Sequence, residues 1–389
     1  MSSRVRLVVA LTSTLLIGYI ALGSLLGRVF GDSTYAQLSI FNEVVRLVID
    51  AYVDRVDVDR AMAGARLGMT EALDGDSAYL DDEEFRLLQQ PAREDADVGL
   101  LLSRRFGLLM VASVRPGSPA EKAKIEAGDL LKLIEGKHTH NISAPVAQRL
   151  LRGAPGSLVK LTLLHLGNDP VELSLARERL QPQAARGKML EAGIGYLKVP
   201  EAEARSVDEA RGEIDSLKRA GAQSLVLDLR GNGSGPLSEG VKLAELFMKG
   251  GVVTKLGGAH VSEEAFSADP KRTAWNGKLV VLIDLGTAGA AEITAAGLLD
   301  SDRATLVGTR TFGRAPQQKV VTLPEGGLVI TVARYTTAKG TLIHTRGVEP
   351  SVKVELPDED EEDQPAEGER DRFLDKALET LQAQARKAA

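Results

Sequence analysis

The stretch that decides the fold is LIDLGTAGAAEITAAGLLDS, residues 282–301. Val280 and Val281 precede it, so the pattern predicts the end of a buried strand, a turn of small residues and then a helix. In α/β enzymes such a turn often carries a nucleophile, because backbone N–H groups at a helix N-terminus face the reacting atom. Here residues 287–291 offer one hydroxyl group, that of Thr287. The turn has the form of a reactive site and almost nothing reactive in it.

Composition excludes several function classes. The chain has 389 residues, of which 43% are hydrophobic, so it is long enough for two or three domains. A net charge of −6, without a basic run interleaved with aromatics, argues against nucleic-acid binding. The chain has no cysteine, and its five histidines are scattered, with His138 and His140 in a predicted exposed hairpin. No metal site and no other cofactor is therefore predicted.

The N-terminal residues carry a membrane signal. Arg4 and Arg6 precede an uncharged apolar stretch, residues 7–27, which is long enough to span a bilayer. We interpret residues 1–30 as an uncleaved signal anchor, with a cleaved signal peptide as the alternative. The basic end is expected to stay in the cytoplasm. This predicts a single-pass protein of the bacterial inner membrane with its bulk on the periplasmic side.

The regions next to the termini have distinct patterns. Residues 35–93 carry helical apolar spacing in two pieces, which predicts an N-terminal helical hairpin. Residues 356–371 form an acidic, proline-containing stretch without core-forming residues, typical of a solvated linker. Residues 372–389 predict a short amphipathic helix that ends the chain.

Residues 97–179 alternate short predicted strands with glycine and proline turns and two short helices, as in a small, partly open barrel. The segments PGSPAEKAKIEAGDLLKLIEGK and LLRGAPGSLVKLTLL resemble a bacterial PDZ domain. Such domains bind an extended peptide C-terminus at a sheet edge, where backbone N–H groups hold the carboxylate. The resemblance assigns this role to the loop Val98, Gly99, Leu100 and Leu101. A PDZ domain that only packs on its neighbour remains the alternative.

Residues 190–355 alternate strands and helices, which predicts an α/β core with a largely parallel sheet. The segments LVLDLRGNGSG, AAEITAAGLLD, GTRTFGRAPQQ and ARYTTAKGTLIHTRGVEP follow one another in an order that resembles the carboxy-terminal processing, or tail-specific, serine proteases. The resemblance extends over about residues 35–355. It implies a multidomain α/β protein with a helical hairpin, a PDZ domain and a protease core.

These proteases use a serine nucleophile, a lysine general base, a glutamine that positions the lysine, and an oxyanion hole of backbone N–H groups. By resemblance, the serine position is Gly289, the lysine position is Arg314, and the glutamine is retained as Gln318. The oxyanion loop corresponds to Gly233, Ser234 and Gly235, which follow Asn232. Both residues of the catalytic dyad therefore differ from the family pattern.

The chemistry of these two differences is decisive. Glycine has no side chain that could attack a carbonyl, and arginine stays protonated near neutral pH and cannot act as a base. The sequence therefore predicts a membrane-anchored pseudo-protease that binds polypeptide C-termini or partner proteins. Assembly with an active homologous protease, or with a second copy, through the hairpin is a further hypothesis. A serine-type endopeptidase with residual or unconventional activity, using Thr287 or Ser301, remains the alternative.

Overall fold

The computed structural model describes residues 35–90, 96–165, 168–355 and 371–388. The chain divides into two compact units, residues 1–65 and 66–389. The predicted signal anchor lies outside the described residues, as does the acidic linker apart from Asp371. In the part that the structure describes, no helix combines the length and the apolar character needed to cross a membrane.

The first unit contains helix α1 (residues 35–51) and the start of helix α2 (Val58–Glu71). Both helices fall where the apolar spacing predicted them. An apolar groove of about 170 Å³ lies within this unit, and its lining includes Phe41, Val45 and Met62. Several large apolar side chains of α1 are about half exposed to solvent: Leu38, Val44, Leu47 and Ile49.

In the second unit, α2 is followed by a very short strand and a helix, β1 (Ala78–Leu80) and α3 (Asp82–Gln89). Asp81 accepts a hydrogen bond from the backbone N–H of Glu84, which satisfies one of the free N–H groups at the start of α3. The apolar spacing of residues 35–93 predicts a helical hairpin, and the strand β1 is not part of that prediction. Three residues are too short a stretch for an alternating pattern to be recognised.

Residues 96–179 form a small β domain with two short helices. Its elements are β2 (Ala96–Asp97), β3 (Leu100–Arg105), β4 (Leu108–Val114), α4 (Pro119–Lys122), β5 (Leu130–Ile134), β6 (Lys137–His138), α5 (Ala144–Leu150), β7 (Leu158–Leu164), β8 (Val171–Ala176) and β9 (Glu178–Arg179). The main antiparallel sheet has the order β3-β4-β5-β7-β8, with β6 paired to β5, while β2 pairs with β9. Within the part of the chain that the structure describes, no strand pairs with one edge of β3, and α5 packs against β3.

The remaining residues form the α/β core. Its elements are β10 (Arg186–Met189), β11 (Ile194–Lys198), α6 (Ala204–Arg219), β12 (Ser224–Asp228), α7 (Leu237–Glu245), β13 (Val252–Gly258), β14 (Val261–Ser267), β15 (Lys278–Ile283), α8 (Ala290–Asp300), β16 (Thr305–Gly308), β17 (Pro316–Thr322), β18 (Gly327–Thr336), β19 (Val352–Lys353) and α9 (Arg372–Ala388). One sheet has the order β10-β11-β12-β15-β16-β19, and only its β10–β11 pair is antiparallel.

This sheet is buried on both faces, which explains its continuous apolar strands. Leu225 and Val281 face the core formed with α6, α7 and α8, whereas Val226 and Val280 face α9. The predicted C-terminal amphipathic helix is therefore the element that covers the second face of the sheet.

A second sheet has the order β1-β18-β13-β14, with β17 also paired to β18. Its strand β1 pairs with β18 at a large sequence separation, with Ala78 opposite Val329. This pairing brings the segment just before β1 to the α/β core, where Asp74 lies close to the buried His344.

Candidate functional site

The turn between β15 and α8 has a backbone conformation that favours glycine. Gly289 precedes the first residue of α8 with φ 62° and ψ −120°, a conformation that residues with a side chain rarely adopt. A similarly sharp strand-to-helix turn presents the nucleophile in α/β hydrolases. A Cβ built on Gly289 would lie 3.6 Å from Leu237 and 3.8 Å from the carbonyl oxygen of Arg314. The turn has room for a small side chain, next to the residue assigned to the base position.

Glu292 fixes the relative position of Gly289 and Arg314. Its carboxylate accepts hydrogen bonds from the backbone N–H groups of Gly289 (3.0 Å), Gly313 (2.6 Å) and Arg314 (2.8 Å), and from the hydroxyl of Thr311. Burial raises the pKa of this carboxyl, and the four hydrogen bonds act in the opposite direction. A single buried side chain thus joins the start of α8 to the loop that carries Arg314.

Arg314 forms an ion pair that the sequence analysis missed. Its Nε lies 3.1 Å from Oδ1 of Asp76, whose side chain is only 2% exposed. The same Asp76 oxygen accepts a hydrogen bond from the hydroxyl of Ser103 at 3.2 Å. Gln318 also turns toward this residue, because its Nε2 donates to the backbone carbonyl of Asp76 at 2.6 Å. Gln318 and Arg314 are therefore brought together on Asp76.

The loop assigned to the oxyanion hole is held close to its neighbours. The buried Asn232 donates from Nδ2 to the carbonyl of Val199 at 2.9 Å. A Cβ on Gly235 would lie 1.9 Å from the carbonyl oxygen of Ala202, and a Cβ on Gly233 would lie 2.4 Å from Cβ of Ser113. Both positions accept only glycine without displacement of the backbone or of β4.

A cleft of about 420 Å³ connects the glycine loop and Arg314 with the predicted tail-binding loop, and Gly289 and Gln318 are not among the described residues that line it. Gly233, Ser234, Gly235 and Arg314 line it together with Gly99, Leu100 and Leu101 of the predicted tail-binding loop. Among the described residues of its lining are three arginines and one aspartate, Asp97, but no lysine and no histidine. The cleft therefore offers a charged, polar surface that lacks the usual proton acceptors of serine peptidases.

The hydroxyl groups near the turn occupy different environments. Thr287 is fully buried, with its hydroxyl oxygen 2.9 Å from the Asp284 carboxylate. Ser301 lies at the other end of α8 and donates to the carbonyl of Gly297. Ser234 lines the cleft, and its buried hydroxyl has no hydrogen-bond partner among the described residues. Thr287 and Ser301, the alternative nucleophiles proposed from the sequence, do not line the cleft, whereas Ser113 and Ser234 do. The hydroxyl of Ser113 donates to the carbonyl of Gly231 at 2.9 Å.

In the predicted tail-binding loop, Val98 and Leu100 are buried in the core of the small β domain. Gly99 has φ 87°, and a Cβ there would lie 2.2 Å from Cβ of Ser118. Its N–H donates to the side chain of Asp97 at 2.9 Å. Leu101 is partly buried and lines the cleft.

Comparisons with known proteins assign this chain to a family. The model of peptidase family S41 matches residues 193–354, and a PDZ-domain model matches residues 110–164. The chain is 32% identical over 332 residues to the carboxy-terminal processing protease CtpA of Bacillus subtilis (strain 168), covering 84% of this chain and 70% of that protein. This chain belongs to peptidase family S41. The resemblance drawn from its sequence motifs is thereby confirmed at the level of the family.

Two further similar proteins carry names of the same kind. A carboxy-terminal-processing protease of Bartonella bacilliformis (strain ATCC 35685 / KC583 / Herrer 020/F12,63) is 30% identical over 334 residues, which cover 84% of this chain and 77% of the relative. Among solved structures, the photosystem II D1 C-terminal processing protease is similar with a TM-score of 0.68 and 28% identity, covering 81% of this chain and 92% of that one. The predicted fold class, an α/β multidomain protein with a PDZ domain and an S41 core, is confirmed.

Proposed function

We propose that this chain is a non-catalytic member of family S41 that binds polypeptide C-termini. The observation that carries the proposal is the pair of residues at the assigned dyad positions: Gly289 has no side chain, and Arg314 is held by the buried Asp76. A guanidinium in an ion pair with a carboxylate keeps its proton, so it cannot accept one from a nucleophile. The S41 fold then remains as a scaffold for binding.

The alternative is a serine-type endopeptidase with unconventional activity, and one observation favours it. The unbonded hydroxyl of Ser234 lies in the cleft. A serine nucleophile also needs a proton acceptor within hydrogen-bond reach. Asp97 is the only carboxylate among the described lining residues, and it is engaged with the N–H of Gly99 and with Arg152. The non-catalytic proposal is therefore the better supported of the two.

The proposed binding surface is the groove between β3 and α5, together with the loop at residues 98–101. A β3 edge without a strand partner is the element to which PDZ domains add a peptide as a further strand. The loop would receive the terminal carboxylate, and the adjoining cleft would receive the last side chain of the peptide. The partner class is thus a polypeptide tail with a free carboxylate.

The proposal includes a location and a further partner. The apolar stretch at residues 7–27, after Arg4 and Arg6, supports a single-pass anchor in the bacterial inner membrane with the bulk on the periplasmic side. The half-exposed apolar side chains of α1 support assembly with an active homologous protease or a second copy. Membrane fractionation with protease accessibility from the periplasm tests the first point, and sedimentation of the full chain in detergent tests the second.

The direct test of tail binding is fluorescence anisotropy with the full chain in detergent and a labelled six-residue peptide, SGTVLV. A peptide with a free carboxylate should bind roughly tenfold more tightly than the same peptide amidated at its C-terminus, because the loop N–H groups make charge-assisted hydrogen bonds only to the former. Equal affinity of the two peptides, or no binding of either, would contradict tail recognition.

A further inference from the structure

Two residues of the chain itself, Gln148 and Gly75, make hydrogen bonds to the edge of β3 that faces α5. The side-chain amide of Gln148 donates from Nε2 to the carbonyl of Leu100 at 2.8 Å and accepts at Oε1 from the N–H of Leu102 at 3.0 Å. The N–H of Arg104 donates to the backbone carbonyl of Gly75 at 3.3 Å. Alternate residues of a strand direct their backbone groups to the same edge. Leu100, Leu102 and Arg104 therefore define one edge, and the chain pairs with it along its length.

Gln148 makes the hydrogen bonds that a peptide would make. Its amide presents one N–H donor and one carbonyl acceptor, which are the two groups that an added strand offers to Leu100 and Leu102. The side chain comes from α5, which forms the other wall of the groove. A bound peptide and the Gln148 amide cannot use these two backbone groups at the same time.

Asp97 acts in the same way at the end where a peptide carboxylate would bind. Its Oδ1 accepts from the N–H of Gly99 at 2.9 Å, and its Oδ2 lies 3.4 Å from Nε of Arg152. The Asp97 carboxylate thus already uses a backbone N–H donor and a cation that the carboxylate of a bound peptide could use. Arg152 lines the cleft too, so it can pair with an arriving carboxylate once Asp97 moves away.

Gly75 closes the other end of the same edge. A Cβ built on Gly75 would lie 1.7 Å from the carbonyl oxygen of Arg104, so only glycine permits this approach. The distance from Leu100 to Arg104 is four residues of extended chain, or about 13 Å. A peptide must therefore have about five residues in the groove before it competes with Gly75.

We propose that Asp97, Gln148 and Gly75 are internal substitutes for a bound tail, and that an incoming polypeptide C-terminus replaces them at the β3 edge. This inference rests on the proposed tail-binding function. The internal contacts must be released before a tail can bind, and this release costs free energy. The apparent affinity for the tail is therefore reduced in proportion to the fraction of molecules in which the contacts are already released. The groove consequently selects extended tails with a free carboxylate, long enough to replace Gly75 as well.

The first test needs no peptide, so it can succeed even if tail binding fails. Amide hydrogen exchange of the full chain, resolved by fragmentation to single residues, should show Leu102 protected in the wild type. Gln148→Ala should raise its exchange rate at least tenfold, because the amide loses its acceptor. The matched control is Gln317→Ala, an exposed glutamine outside the groove. An unchanged Leu102 rate in Gln148→Ala would overturn the proposal.

The second test measures the affinity of the free-acid peptide SGTVLV. Gln148→Ala should bind it roughly tenfold more tightly than the wild type, since the peptide no longer has to displace the amide. Asp97→Ala should strengthen binding of the free acid more than that of the amidated peptide. Unchanged or weaker binding by Gln148→Ala would contradict the substitute role. If the exchange test succeeds and no variant binds either peptide, the internal contacts stand and the tail-binding function fails.

Discussion

Nε of Arg314 lies 3.1 Å from Oδ1 of Asp76, across 238 residues of sequence. The two side chains differ in burial, since Asp76 is 2% exposed and Arg314 is 27% exposed. The ion pair holds the residue at the assigned base position against the segment before β1. Ser103 completes the arrangement with a hydrogen bond to the same carboxylate oxygen.

Removal of Arg314 should be costly for stability. Arg314→Met removes the ion-pair partner of a buried carboxylate, which is expected to lower the free energy of unfolding by about 2 to 3 kcal/mol. The control is Arg310→Met, because Arg310 is an exposed arginine whose contact with Glu349 is 3.6 Å long. That variant should stay within about 0.5 kcal/mol of the wild type. Urea denaturation followed by the fluorescence of Trp275, the only tryptophan, measures both, and equal losses would contradict the structural role of the pair.

A side chain at Gly289 should fit, with a cost from the backbone. The nearest described atom to the added Cβ, apart from its chain neighbours, is 3.6 Å away. Gly289→Ala should therefore lower the free energy of unfolding only through backbone strain, by about 1 to 3 kcal/mol. Gly289→Ser should lose the same amount within error. A much larger loss for either variant, measured by the same urea denaturation, would mean that the turn does not have the room that the structure indicates.

Glu292 should tolerate very little change. In Glu292→Gln an amide NH₂ replaces one carboxylate oxygen and faces N–H groups that are themselves donors. We expect the free energy of unfolding to fall by about 2 to 4 kcal/mol. Hydrogen exchange at Gly313 and Arg314 should also accelerate, and unchanged exchange there would contradict the role of Glu292 in joining this loop to α8.

The pH dependence should reveal a buried network next to the glycine loop. Asp228 is 1% exposed, and although burial opposes its ionisation, Lys198 and Arg230 lower its pKa to about 2. Its unfolded pKa is about 3.9. Ionised Asp228 therefore stabilises the folded state above about pH 4. This contribution, about 2 kcal/mol of the free energy of unfolding, is lost as the pH falls toward 2. In Asp228→Asn the free energy of unfolding should lack this loss at low pH, whereas the control Asp302→Asn, at an exposed position, should keep it. Identical dependences of the free energy of unfolding on pH for the wild type and both variants would contradict the prediction.

The sequence allowed the prediction of features that local patterns specify. The apolar run from Val280 to Ile283 predicts a buried strand, and the small residues after it predict a turn. The apolar period near the C-terminus predicts an amphipathic helix. The structure contains all three. Arg314 and the glycine loop also line one cleft, and a Cβ built on Gly289 would lie within 4.0 Å of the carbonyl oxygens of Arg314 and Gly233. Their spacing along the chain was carried over from the family resemblance.

The contacts that were missed are those between distant segments. Nothing local to Asp76 indicates that it meets Arg314, and the pairing of Ala78 with Val329 involves a strand of only three residues. No local pattern singles out Gln148, because its role depends on the neighbouring edge of β3. Such contacts depend on how segments that are distant in sequence pack together, and residue type alone does not specify that.

The central claim is that the cleft lacks a working nucleophile and base. Its most direct measurement is incubation of the purified full chain with a serine-directed fluorophosphonate, followed by intact-mass analysis, with Bacillus subtilis CtpA as the positive control. We predict no covalent adduct on this chain and no cleavage of an unfolded test protein in the same preparation. An adduct or time-dependent cleavage that disappears in Ser234→Ala or Thr287→Ala would contradict the claim and identify this chain as an active peptidase.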